Sequence, residues 1–240
     1  GARIAQRPRG PHAEGCDRRS GLAPGCVLAL DVNLAVEGTG TLGEGRYIAV
    51  EGPIGVGKSA LAAALAESYG ARLVREPVEE NPFLPKFYED PERYAFTAQV
   101  SFLMERYRQQ EELHQMDLFE RATVSDYVFA KDRIFAELVL SRDEAALYER
   151  IYSLLDARIR RPDLVVFLDA KTEVLVKRTK KRGRPYEKWI GRDYMERVAE
   201  AYRRFFHAYS ETPLLVVNSS DIDFVENGGV FQQRFRIGPR

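Results

Sequence analysis

A three-layer α/β fold, in which a five-stranded parallel sheet lies between helices, is predicted by three observations. Short β-type runs alternate with longer helical ones, as parallel sheets require of their crossovers. The first strong run passes through a glycine-rich stretch directly into a helical segment. After about residue 45 there is neither an internal repeat nor a low-complexity block, so one pattern covers one domain.

The strands are taken in chain order. Tyr47-Ile48-Ala49-Val50 is the first, and residues 72–75, 122–125, 164–168 and 214–217 follow as short apolar runs suited to burial on both faces. Helices are predicted over 59–69, 91–115, 143–160 and 193–209. The long second helix is marked by Phe96, Val100, Leu103, Tyr107 and Leu113 at near-helical spacing.

Composition limits the partners. Lys plus Arg and Asp plus Glu both total 36 in a chain of 240 residues, so no global basic field exists for nucleic acid and any cationic site must be local. No apolar run approaches the ~20 residues that span a bilayer, and residues 26–36 are interrupted by Asp31 and Asn33. The only cysteines, Cys16 and Cys26, have neither disulfide-framework nor zinc spacing, which suits a reducing compartment. A soluble, cytoplasmic protein with no membrane partner is the expectation. Residues 1–45, with Arg3, Arg7, Arg9, Arg18 and Arg19 among glycines and prolines, are expected to be a disordered extension. The domain is expected over 46–227 and an atypical tail over 228–240.

Gly52-Pro53-Ile54-Gly55-Val56-Gly57-Lys58-Ser59 fits G-x-x-x-x-G-K-[ST] at every fixed position and lies between the first strand and a helix. Glycines let backbone N–H groups turn toward phosphate oxygens, and the helix start, including Ala60, presents its positive dipole end. Lys58 is expected to neutralise the β and γ phosphates, and the Ser59 hydroxyl to ligate Mg²⁺, with Glu76 or Asp126 as further candidate ligands. The motif places the chain in the P-loop NTPase fold with ATP as the nucleotide.

The second strand ends at Arg75-Glu76-Pro77-Val78, and the carboxyl ends of parallel strands border the ligand crevice. A carboxylate there can take the proton of an attacking hydroxyl. Position alone equally allows Glu76 to cap a helix or to pair with Arg75. Gln99 offers a donor and an acceptor side by side, which suits a nucleobase edge. Phe87 and Phe102 fit a base sandwich or plain core, and Arg106, seven residues after Gln99, fits the same helix face or a surface ion pair.

Glu76-Pro77-Val78, Asn81-Pro82-Phe83-Leu84, Phe87-Tyr88 and Gln99 together resemble the deoxynucleoside kinases, and the resemblance spans about residues 46–227. It implies that Glu76 is the general base for the sugar 5′-hydroxyl, that Tyr88 binds the 3′-hydroxyl, that Gln99 contacts the base and that Arg106 lies beside it. Asp126 matches the acidic residue of the third strand's end. Tyr127 departs from the pattern, standing where the family has an arginine that touches both the general base and the transferring phosphate, with Lys131 or Arg133 as candidate substitutes. Similar bacterial members act on purine deoxynucleosides, which favours deoxyadenosine or deoxyguanosine as acceptor.

Lys177-Arg178-Thr179-Lys180-Lys181-Arg182-Gly183-Arg184-Pro185-Tyr186-Glu187-Lys188 is the one strongly basic segment. A run like this is often a solvated helix face. Here it matches the family's arginine-rich lid through Arg178, Arg182, Arg184 and Glu187, which implies arginines closing on the transferring phosphate and a glutamate at the 3′-hydroxyl. Residues 218–224, with Asp223, resemble the loop that contacts adenine. The resemblance also implies a homodimer through the long helices. A thymidylate-kinase-like enzyme, a pyrimidine-preferring relative, a nucleotide-dependent switch and a weakened subunit of a hetero-oligomer are the alternatives.

Overall fold

The computed structural model describes residues 27–29, 45–78, 81–116, 122–222 and 224. Six strands pair in one all-parallel sheet: β1 (Val27–Ala29), β2 (Tyr47–Glu51), β3 (Arg72–Val74), β4 (Thr123–Ser125), β5 (Leu164–Asp169) and β6 (Leu214–Asn218). Their order across the sheet is β1-β6-β5-β2-β4-β3. Successive side chains of a strand point to opposite faces, and here both faces are apolar. Ile48 and Val50 of β2 join Val166 and Leu168 of β5 in one core, whereas Tyr47, Ala49, Val165 and Phe167 join the other. Helices must therefore cover both sides, which gives the three layers expected.

The five predicted strands are present, and β1 extends the sheet beyond them. It runs parallel to β6 with Val27 opposite Leu214, within the stretch expected as a disordered extension. For these three residues that expectation is corrected: β6 otherwise presents an edge of unpaired backbone groups, and an apolar Val-Leu-Ala run can pair with it. Residues 1–26 and 30–44, including both cysteines, lie outside the described residues, as does the tail from 225.

The helices are α1 (Lys58–Tyr69), α2 (Leu84–Glu89), α3 (Pro91–Met116), α4 (Lys131–Val139), α5 (Arg142–Asp156), α6 (Thr172–Arg182) and α7 (Arg192–His207). Alanine and leucine make α1 a strong helix former, and Leu61, Ala62, Leu65 and Ala66 bury its face against the sheet. A left-handed Gly70 ends it, its N–H returning to Ala66 and Glu67. Ser141 and Glu144 form a capping box that starts α5 just before the predicted boundary, and α5 ends at Asp156 rather than 160. The short α2 escaped periodicity because six residues cover less than two turns.

β2 lies between β5 and β4, so the chain leaves it toward one sheet edge and later crosses to the other side. The crevice beyond the carboxyl ends at that switch point is where such folds bind ligands. The loops after β2, β3 and β4 all open there. Among the described residues, no helix is long and apolar enough to cross a membrane.

Candidate active site

The loop after β2 wraps a space instead of filling it. Gly55 and Gly57 hold φ of 80° and 108°, and a Cβ at Gly55 would come within 2.8 Å of the Leu175 carbonyl oxygen and 2.5 Å of Thr179 Oγ1. Gly55→Ala is therefore expected to destabilise the fold by about 1–3 kcal/mol, the usual range for a forced left-handed residue. A chemical denaturation midpoint equal to the parent's would contradict this.

Lys58 begins α1 and folds back over its own loop, donating from Nζ to the carbonyls of Gly52 at 2.7 Å and Pro53 at 3.2 Å. Burial pushes its ammonium down to about 8, against the pull of Glu51 and with a further push from Lys131. A triphosphate would reverse that shift by supplying anionic oxygens.

Glu76, after β3, faces the same cleft as Lys58, on the same side of the sheet. Its backbone N–H donates to Asp126 Oδ1 at 2.7 Å, so the ends of β3 and β4 are fastened together. Lys131 Nζ donates to Oε2 at 2.7 Å, and the Arg106 guanidinium donates to Oε1 through Nε at 2.9 Å and through a second nitrogen. Burial alone would raise the Glu76 carboxyl, but Lys131 and Arg106 outweigh it and hold the group well below the usual carboxylate range. The carboxylate is ionised at neutral pH.

Gln99, Phe102 and Arg106 come from one face of α3, at spacings of three and four residues, and all line the cleft. Arg106 does not form a surface ion pair. It is buried, stacks its guanidinium 4.8 Å from the Phe102 ring centroid and grips Asp132 as well as Glu76. Phe87 and Tyr88 come from α2, with the Tyr88 ring stacked on Tyr186 at 6.1 Å and edge-on to Tyr194. Phe87 and Phe102 belong to a small core cluster and line the cleft as well, so the two readings of them are compatible.

The basic segment forms the last turn of α6 and a short 3-10 helix, Pro185–Trp189. Arg182 pairs with the buried Glu187, and both line the cleft with Arg184. Arg178 is engaged differently: it donates to the carbonyls of Val56, Ser219 and Ile222, tying the P-loop to the turn after β6. Asp223 lies outside the described residues, but its neighbour Phe224 packs on the loop, where a Cβ at Gly57 would meet its ring at 2.7 Å.

Of the two residues expected to stand in for the arginine missing at Tyr127, only one reaches Glu76. Lys131 reaches Glu76, whereas Arg133 is half-exposed and pairs with Glu149. Tyr127 itself turns into the core, where its hydroxyl accepts from Gln110 Nε2 at 3.3 Å. Sequence reasoning missed Glu51. It is fully buried, accepts from the N–H groups of Gly52 and Val128 and from the Tyr202 hydroxyl, and thereby joins the P-loop to the segment after β4 and to α7. An acidic residue ending a buried apolar strand was the available signal. Asp132, Tyr186 and Tyr194 were also missed, because nothing in their local pattern separates them from helix surface or core.

These residues enclose a cleft of about 510 Å³, within the ~300–1,000 Å³ common for small-molecule sites. Lysine and arginine side chains line it beside the P-loop, and aromatic rings with the Gln99 amide line it beside α2 and α3. The deoxynucleoside kinase family model matches residues 48–234. The chain belongs to the deoxynucleoside kinase family. Family members similar to it include the deoxyguanosine kinase of Bacillus subtilis (strain 168), 35% identical over 192 residues that cover 78% of this chain and 93% of that one. The deoxyadenosine kinase of Lactobacillus acidophilus is 32% identical over 196 residues, covering 76% and 89%. A solved structure of the deoxyadenosine kinase from M. mycoides, with the products dCMP and a flexible dCDP bound, superposes with a TM-score of 0.69 at 26% identity, over 78% of this chain and 96% of that one. The chain is thus an ATP-dependent deoxynucleoside kinase with the P-loop fold.

Proposed function

We propose that this kinase transfers the γ-phosphate of ATP to the 5′-hydroxyl of a purine deoxynucleoside, deoxyadenosine or deoxyguanosine, for nucleotide salvage. The observation that carries the reading is that the Glu76 carboxylate and the P-loop with Lys58 face one cleft, whose far end holds Gln99, Phe87 and Phe102. A hydroxyl held against Glu76 lies between the carboxylate and the phosphates. Its oxygen attacks the γ-phosphorus, the bond to the β,γ-bridging oxygen breaks, ADP leaves, and the hydroxyl proton passes to a Glu76 oxygen.

Tyr88 and the lid's Glu187 converge on the sugar from α2 and from the 3-10 helix, and a buried carboxylate there disfavours a 3′-phosphate. Gln99, only 4% exposed and lining the cleft, offers a donor and an acceptor that a base edge can pair. Arg182 and Arg184 suit the oxygens of the transferring phosphoryl group, because a planar guanidinium holds two of them. Arg178 acts as a tie that keeps the P-loop against the adenine side.

The residues fit Mg²⁺. Among the described residues no cluster of three or more acidic, histidine or cysteine side chains forms a cage, and Mg²⁺ is usually held by phosphates with one or two protein oxygens and waters. Ser59 would supply a hydroxyl and Asp126 a carboxylate, both lining the cleft. Bound there, the ion would neutralise phosphate charge. A homodimer through the long helices is part of the same reading.

The purine preference rests on relatives named deoxyguanosine and deoxyadenosine kinases. A panel of the four deoxynucleosides with Mg-ATP tests it. Deoxyadenosine or deoxyguanosine is expected to give the highest kcat/KM, and Gln99→Ala to lower that value by about 10–200-fold for the loss of paired base contacts. Thymidine or deoxycytidine in the lead would overturn the purine assignment.

A further inference from the structure

The basic residue missing from the end of β4 is replaced from the first turn of α4. We propose that Lys131 is a catalytic residue of the phosphoryl transfer, its ammonium holding the Glu76 carboxylate on one side and the transferring phosphoryl oxygens on the other. The inference rests on the reading of the cleft given above.

Lys131 Nζ is 2.7 Å from Glu76 Oε2 and 4.0 Å from Glu51 Oε1, and its side chain is 4% exposed. Glu51 does not occupy it. Both Glu51 oxygens are already taken by the N–H groups of Gly52 and Val128 and by the Tyr202 hydroxyl, and 4.0 Å is beyond hydrogen-bond distance. An ammonium has three donors, so donors remain on Nζ after the bond to Glu76, in a group that lines the cleft.

Lys58 is the neighbouring cation. Lys131, buried, and Lys58, half-buried, line the same cleft. Two ammonium groups that line one cleft repel unless an anion separates them. Lys58 belongs to the P-loop and Lys131 to the acceptor carboxylate, so the place between them is where the phosphoryl group crosses. Charge spread over its equatorial oxygens during transfer is what such a cation stabilises. Arg106 cannot serve there, because it approaches the opposite Glu76 oxygen and is shared with Asp132.

Steady-state kinetics of Lys131→Ala, Lys131→Met and Lys131→Arg test this, each beside the wild-type protein with Mg-ATP and its best deoxynucleoside. The alanine and methionine variants are expected to lose about 10²- to 10³-fold in kcat, as for loss of one charge-stabilising donor, with the KM for both substrates changed less than fivefold, by our order-of-magnitude expectation. Arginine is expected to restore at least a tenth of the lost rate, as an order-of-magnitude expectation, since it keeps the charge.

A purely structural lysine would give unfolded or uniformly weakened variants, kcat and KM changed alike, with no rescue by arginine, and that pattern overturns the proposal. So does a Lys131→Met enzyme with wild-type kcat. If the wild-type protein phosphorylates no deoxynucleoside, the reading of the cleft itself fails. If it does so and Lys131→Met matches it, only this inference falls.

Discussion

Glu76→Gln is expected to lower kcat by about 10²- to 10⁴-fold, the range for removal of a positioned general base, while ATP still binds. Glutamine fills the same volume and can still accept one hydrogen bond, but its amide cannot take the hydroxyl proton. The substitution also leaves Arg106 and Lys131 facing a neutral group in a buried place, a change that can cost about 3–5 kcal/mol when one partner of a buried ion pair is removed. Kinetics and thermal unfolding on the same sample separate the two effects. A variant with a lowered Tm and intact kcat would show that Glu76 only closes the ion-pair network.

The ionisation of Glu76 fixes the sign of its pH effect. Its folded value lies below the ordinary 4.5 because Lys131 and Arg106 overcome burial. Its contribution to stability is therefore fully present above about 4.5 and is lost as pH falls through the folded value. In the glutamine variant this acid-side loss is absent.

Arg182→Ala is the second large effect expected. Phosphoryl-transfer arginines are worth about 10³- to 10⁵-fold in kcat, and Arg182, its side chain 39% exposed, lines the cleft while holding Glu187. Its loss removes charge from the transferring phosphate and frees the glutamate proposed at the sugar, so kcat falls and the KM for deoxynucleoside rises. Arg182→Lys keeps the charge without the planar fork and is expected to recover only part of the rate. Stopped-flow single-turnover measurement with saturating ATP reads the chemical step directly; an unchanged rate there would remove Arg182 from it.

Much of this protein was legible in its sequence for definite physical reasons. The P-loop is contiguous, and its glycines are required by positive φ and close backbone approach, so eight adjacent residues announce the turn. Strands buried on both faces read as short apolar runs, and the five predicted ones are all in the sheet. Gln99, Phe102 and Arg106 share one helix face, so periodicity alone brought them together. β1 was not legible, since a three-residue edge strand exists only through its pairing with β6.

The sequence by itself determined the parallel α/β layers, the phosphate-holding loop and the residue types of the acceptor side, because each depends on local spacing or on side-chain chemistry. Only the tertiary structure decided how the charges are shared. It assigned Arg106 to both Glu76 and Asp132, sent Tyr127 into the core, chose Lys131 over Arg133 as the partner of Glu76, and made Arg178 a tie between loops. Those pairings join residues up to 122 positions apart, as Arg178 and Val56 are, and which oxygen a buried cation reaches is set by the packing of whole helices on the sheet.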